Sequence, residues 1–165
     1  MAIELNHTIV AARDKLASAM FLTDLLGLPA PAPFGPFLVV TLTNGVSLDF
    51  MDSADDIRPQ HYAFLVSEAE FEKIFNRIRA QDLPYWADPF KQEPGETNTR
   101  DGGHGVYFDD PDGHVLELLT RPYGSGSPSC RTSTAPSRSA TGESALRQLA
   151  RCTASPPPGW AAASS

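Results

Sequence analysis

Apolar and polar positions along residues 1–123 follow first a two-residue period, then a helical one, then the two-residue period again, and this order occurs twice. Ile3 to Ala11 alternates and is β-prone, which predicts a strand. Asp14 to Leu26 carries apolar residues at Leu16, Met20, Phe21 and Leu25, a helical spacing, with Asp14 placed to cap the helix and Gly27 to stop it. Phe37 to Leu42 and Val46 to Met51 predict two strands joined by Asn44-Gly45, a strong hairpin signal because both residues tolerate positive φ. In the second copy His61 to Val66 predicts a strand, and Ser67-Glu68-Ala69-Glu70 opens a helix through Phe71, Ile74, Phe75 and Ile78. Gly105 to Phe108 and Val115 to Thr120 predict strands turned by Asp112-Gly113, with a further strand near Tyr85-Trp86. Trp86 to Gly103 is a long Pro-, Gly- and charge-rich connection, of a length more often functional than idle.

The two copies also match residue by residue. His7 lies in Asn6-His7-Thr8 and His61 in Gln60-His61-Tyr62; seven residues on stand Asp14 and Glu68, and fourteen on Phe21 and Phe75. Asn44-Gly45-Val46-Ser47-Leu48-Asp49-Phe50 aligns with Asp112-Gly113-His114-Val115-Leu116-Glu117-Leu118. By strand parity His7 shares a face with Leu5 and Ile9, Asp49 with Ser47 and Met51, and Glu117 with Val115 and Leu119. An acid flanked by apolar strand neighbours is costly to bury unless it is paired or bound to a cation. Two imidazoles with one or two carboxylates and no thiolate favour Mn, Fe(II), Ni, Co or Zn over a structural zinc clamp, and two histidines with one carboxylate also describe non-haem Fe(II) sites. His114 is opposite Glu117 by parity and beside the Asp112-Gly113 turn, where a surface histidine is expected. His104 follows Gly102-Gly103 and is expected either to line the site or to solvate a loop.

Composition narrows the function class. A chain of 165 residues with 41% hydrophobic and 20% charged residues suits one soluble domain or two small modules. No apolar run approaches the ~20 residues of a membrane helix, and no basic-then-apolar leader opens the chain, so a cytoplasmic location with no membrane partner is expected. Net charge −7 argues against a nucleic-acid partner, which needs a basic face. Four arginines against the single acid Glu143 give 124–165 a local +3, leaving −10 for 1–123. That last segment is rich in Ser, Ala, Thr, Pro and Gly, and a disordered tail is expected there. Cys130 and Cys152 both lie in it, so the globular part has no disulfide framework. The expected organisation is a domain over 1–123, with modules of about 1–56 and 57–123, followed by the tail.

Gly105-Val106-Tyr107-Phe108-Asp109-Asp110-Pro111-Asp112-Gly113-His114-Val115-Leu116-Glu117-Leu118 resembles the last hairpin of the vicinal oxygen chelate superfamily, with its metal-ligating glutamate. The group includes glyoxalase I, fosfomycin-resistance thiol transferases, extradiol dioxygenases and bleomycin-binding proteins. The two histidine strands match it too, and the resemblance spans 3–123. It implies an α+β fold of two βαβββ modules curved into a cup with helices outside. It further implies His7, His61 and Glu117 as ligands of a divalent metal, with Asp49, one methylene shorter than the glutamate of glyoxalase I, as a fourth candidate. A homodimer whose cup draws on two chains is implied as well. The implied activity is that of a metal-dependent lyase, isomerase, transferase or dioxygenase, chelating a small oxygen-bearing metabolite or antibiotic. The alternative is a metal-free protein that sequesters a drug, for which the acidity of 1–123 would suit a cationic antibiotic. From composition, Phe34, Phe37, Trp86, Phe90, Tyr107 and Tyr123 are candidates for an apolar wall, and Arg100 and Arg121 for a substrate anion.

Overall fold

Each half of the chain folds as strand, helix, then three strands in the computed structural model, which describes residues 3–126. The first half comprises β1 (His7–Ala12), α1 (Lys15–Leu26), β2 (Ala32–Phe34), β3 (Phe37–Thr41) and β4 (Ser47–Asp52). The second comprises β5 (His61–Leu65), α2 (Glu68–Ala80), β6 (Tyr85–Trp86), β7 (Gly105–Asp109) and β8 (Val115–Leu119). Two mixed four-stranded sheets result, ordered β1-β4-β3-β2 and β5-β8-β7-β6, with the helix-returned pairs β1/β4 and β5/β8 parallel. This is the expected α+β pair of βαβββ repeats; within one chain the two sheets are not hydrogen-bonded to each other, and β1 and β5 are edge strands. The cysteines and most of the Ser/Pro/Ala-rich segment expected to be a tail lie outside the described residues.

Local chemistry sets the element ends. Asp14 accepts from the backbone of Leu16 and Ala17 to cap α1, and Gly27 ends it with φ 72. Ser67 and Glu70 form a reciprocal capping box on α2. The expected first strand loses its N-terminal part: pairing begins at His7 opposite Ser47, and Ile3 and Leu5, with no partner strand, stay exposed. β2 carried no alternation to announce it, being a short exposed edge strand that contains Pro33. In α1 the buried residues are Ser18, Ala19, Leu22, Thr23 and Leu25, whereas Leu16 is exposed, because the helix also turns toward α2.

A shared core holds the halves together. Val10, Val40, Leu48 and Phe50 of the first sheet, Phe64, Val106, Phe108, Leu116 and Leu118 of the second, and Leu22, Leu25, Phe71, Ile74 and Ile78 of the helices form one cluster. Each such side chain is worth about 1.5–3 kcal/mol of burial. The opposite face of each sheet is therefore free to carry chemistry.

The Asp110–His114 turn clasps the second half onto the first. Asp110 Oδ1 accepts from the amides of Asp112 and His114, at 2.9 and 2.8 Å. Asp112 reaches across to accept from Arg13 N at 3.0 Å and Ser18 Oγ at 2.5 Å. His114, expected on the surface, is 1% exposed. Gln60 N donates to its Nδ1 at 3.0 Å, so that nitrogen carries no proton, and Nε2–H donates to Ala11 O at 2.9 Å. The turn position suggested solvent, but both ring nitrogens find backbone partners in other elements. His114→Ala should take a buried partner from the Gln60 amide and the Ala11 carbonyl and destabilise the domain by about 2 kcal/mol in a denaturant titration; a much smaller loss would show that the clasp is not structural.

Candidate metal centre

Register places one row of side chains across the free face of the second sheet: Ala63 on β5, Glu117 on β8, Tyr107 on β7 and Trp86 on β6. His61 and Val115 stand in the next row. Glu117 is 1% exposed, a charged group in a strand interior, and it is satisfied by three neighbours. His61 Nε2 lies 3.1 Å from Oε2, and Tyr123 OH donates to Oε1. Tyr107 OH sits 2.5 Å from Tyr123 OH, and the Tyr107 ring stacks on His61 with centroids 6.0 Å apart. The Arg100 guanidinium lies beside both phenols.

The electrostatics follow from burial against hydrogen bonding. Burial pushes the Glu117 carboxyl up, but the hydrogen bonds from His61 and Tyr123, with the Tyr107 phenol close behind, together outweigh it, so the group is held below the ordinary carboxylate value. Burial drives the Tyr107 phenol far up and Tyr123 up as well, so both remain protonated donors at neutral pH. The hydrogen bond to Glu117 raises His61 above its ordinary 6.5, against the lowering effect of its partial burial.

The donor set fits a divalent metal. His61 Nδ1 lies 3.1 Å from Val115 O, and only a protonated Nδ1 can make that contact. In the metal-free protein a proton on Nε2 bridges to the Glu117 oxygen at 3.1 Å; when that proton leaves, the Nε2 lone pair faces the carboxylate, an arrangement that a cation between them would satisfy. His7 and Asp49 are not part of this cluster in one chain. His7 is exposed on β1, with Nδ1 2.8 Å from Asn6 Oδ1. Asp49, 9% exposed on β4, accepts from Ser47 Oγ at 2.8 Å. Among the described residues no three His, Cys, Asp or Glu side chains converge on one point.

The family model for the glyoxalase/bleomycin resistance protein/dioxygenase superfamily matches residues 4–118. The chain belongs to that superfamily. It is 34% identical over 124 residues to the glutathione transferase FosA of Serratia marcescens, covering 72% of this chain and 81% of that one. It is similar to two solved structures, Oxidase ChaP-H1 (65% identity, TM-score 0.74) and Oxidase ChaP-H2 (63%, TM-score 0.75). Those matches cover 74% and 76% of this chain and 99% of each structure.

The other candidate residues divide clearly within this superfamily fold. Trp86 adjoins Tyr107 in register and carries Lys91 Nζ 4.8 Å over its ring. Arg121 donates to Asp101 O at 3.4 Å and packs over Gly103, whose missing Cβ would stand 2.7 Å from Arg121 Cγ. That close approach brings the loop carrying Arg100 against the chain after β8. His104 is taken up by Glu68, Nδ1 to Oε2 at 2.7 Å, away from Glu117. A groove of about 560 Å³ follows the β5 edge past Leu26, Leu42, Leu65 and Lys73; it reaches Ala63 but is not centred on His61 and Glu117. No helix among the described residues is long and apolar enough to cross a membrane.

In the metal-free protein, Glu117→Gln removes the main cause of the raised His61 pKa and leaves burial, which lowers it. An NMR titration of His61 should therefore move down to 6.5 or below, and an unchanged titration would mean that the carboxylate is not its partner in solution.

Proposed function

We propose that this protein is a metal-dependent oxidase acting on a small oxygen-bearing molecule. Its divalent ion is held by His61 and Glu117 of one chain and His7 of a second copy. The observation that carries the reading is the Nε2 of His61 aimed at a buried carboxylate, with Nδ1 tied back to Val115 O. A histidine oriented through its second nitrogen, opposite an acid, is how proteins present imidazole to a metal. Oxidase is preferred to glutathione transferase because identity to the two ChaP homologues is about twice that to FosA and spans nearly their whole length.

Two features support the second copy. β1 and β5 are edge strands with unpaired backbone groups. Ile9, 50% exposed, and Leu65, 60% exposed, share the ligand-bearing faces of their sheets, so each half offers a half-open apolar floor. Joining a first-half face to a second-half face of another chain would cover both and bring a His7 to a His61–Glu117 pair. Asp49 would then stand near as a fourth oxygen donor.

When bound, the ion supplies Lewis acidity toward neighbouring substrate oxygens and a place for dioxygen, the electron acceptor an oxidase needs. The chain's own residues do the rest. His61 gives up its Nε2 proton on loading. Trp86 and Tyr107 wall the floor with aromatic surface, and Arg100 offers a cation to an ionised oxygen of the substrate. Nitrogen and oxygen donors without thiolate suit Fe, Mn, Ni, Co or Zn, and Fe(II) suits two histidines, one carboxylate and oxidase chemistry.

Elemental analysis should find about one divalent ion per chain, lost in His7→Ala, His61→Ala and Glu117→Ala. Refolding His7→Ala together with Glu117→Ala should restore uptake, since a mixed dimer contains one intact donor set. No restoration would sink the shared site. Metal-free protein that still retains an aromatic cationic drug would replace the oxidase with drug sequestration.

A further inference from the structure

The two oxygens of Glu117 are answered differently. Oε2 faces His61 Nε2, while Oε1 accepts from Tyr123 OH. A phenol has one proton, and Tyr123 spends its own on Glu117, so the 2.5 Å contact between the phenols is donated by Tyr107. Tyr107 is fixed by β7, buried and opposite Glu117 in register. Tyr123 has no such support, being 54% exposed and four residues beyond the end of β8.

Its support comes from Asp101. The Asp101 carboxylate accepts from Gly124 N at 3.1 Å and Gly126 N at 3.2 Å, pinning the chain directly after Tyr123. Asp101 sits at φ 54, a left-handed conformation that short polar residues tolerate, and its own carbonyl receives the Arg121 guanidinium. Neither glycine amide belongs to a strand or helix, and beside the turn from Ser125 N to Pro122 O, 3.1 Å, the Asp101 carboxylate is what ties this segment to the 98–103 loop.

We propose that Tyr123, latched by Asp101, is a positioning residue that occupies Glu117 Oε1, so that Glu117 offers a metal Oε2 alone. The inference rests on the preceding reading that His61 and Glu117 hold a divalent ion. A free carboxylate can chelate with both oxygens and fill an extra coordination position. Tying one oxygen to a phenol keeps that position open, which a site that must admit both substrate and dioxygen requires. The latch is assembled from the 98–103 loop and the chain after β8, both outside the two sheets, so its stiffness can be altered without touching the floor.

Cobalt(II) titration of dialysed full-length protein tests this by affinity and by visible absorption, neither of which needs turnover. Tyr123→Phe keeps the half-exposed ring and should change cobalt affinity by about 10-fold or more, the lost orientation and the added oxygen acting in opposite directions. Its d–d absorption should fall as the freed oxygen raises the coordination number. Asp101→Asn, which does not touch Glu117, should shift affinity and spectrum in the same direction by less. His61→Ala should take up none. Tyr123→Phe with unmodified affinity and spectrum would overturn the clamp while leaving the metal site intact; no cobalt uptake by the unmodified protein would overturn both.

Discussion

A carboxylate in the middle of a β-strand, 1% exposed, is the constraint around which the second half of this protein is organised. Left alone, a buried charge of this kind would cost several kcal/mol or take up a proton. Glu117 does neither, because an imidazole and a phenol stand on its two oxygens and a second phenol stands behind the first. That network explains why Tyr107 lies opposite Glu117 on β7 and why the chain after β8 folds back across the sheet. Nearby, the bare backbone of Gly103 leaves the space that Arg121 and Thr120 fill. A carboxylate held this way is fixed by its neighbours rather than by solvent.

The same hairpin does a second job from its other end. Its Asp110–His114 turn binds β1, the head of α1 and the approach to β5. The strand that carries Glu117 is therefore anchored at its start by the clasp and at its finish by the Tyr123 latch. His114 and Glu117 are three positions apart, an odd number, so strand parity sends one ring into the core and the other side chain onto the open face. One short stretch thus joins the two halves and carries the buried carboxylate.

Much of this was legible in the chain itself, and the parts that were not share a physical cause. Asn44-Gly45, the Asp14 cap and the Ser67–Glu70 box report local conformation, which depends on near neighbours, and those elements formed where the pattern put them. His61 and Glu117 were both singled out by their matching places in the repeat and by the family resemblance, while their adjacency on β5 and β8 is a matter of strand pairing that the pattern did not state. His114 was misread as a surface residue because its partners, Ala11 and Gln60, are 103 and 54 positions away and leave no periodic trace. His104 was ambiguous for the same reason, its fate resting on Glu68 across the fold. The repeat shows that His7 and His61 are equivalent. It does not show that they are neighbours, since equivalent sites approach one another only if the edges carrying them are joined.

The two halves are unequal in a way that bears on which of them does chemistry. Asp49 and Glu117 occupy matching places, but the residue opposite Asp49 is Val39, where Glu117 has Tyr107. Asp49 answers its burial with Ser47 Oγ, which stands where the second half has Val115. One hydroxyl two residues away satisfies the shorter acid within its own strand and leaves it no relay to an outer segment. Glu117 depends instead on residues from β5, β7 and the chain beyond β8, so its position reports on all of them. A ligand coupled to several elements can be adjusted by any of them, while a self-satisfied acid stays where its strand puts it. On the proposed reading the carboxylate that meets the ion is therefore that of the second half, and the first half contributes the imidazole on its exposed edge.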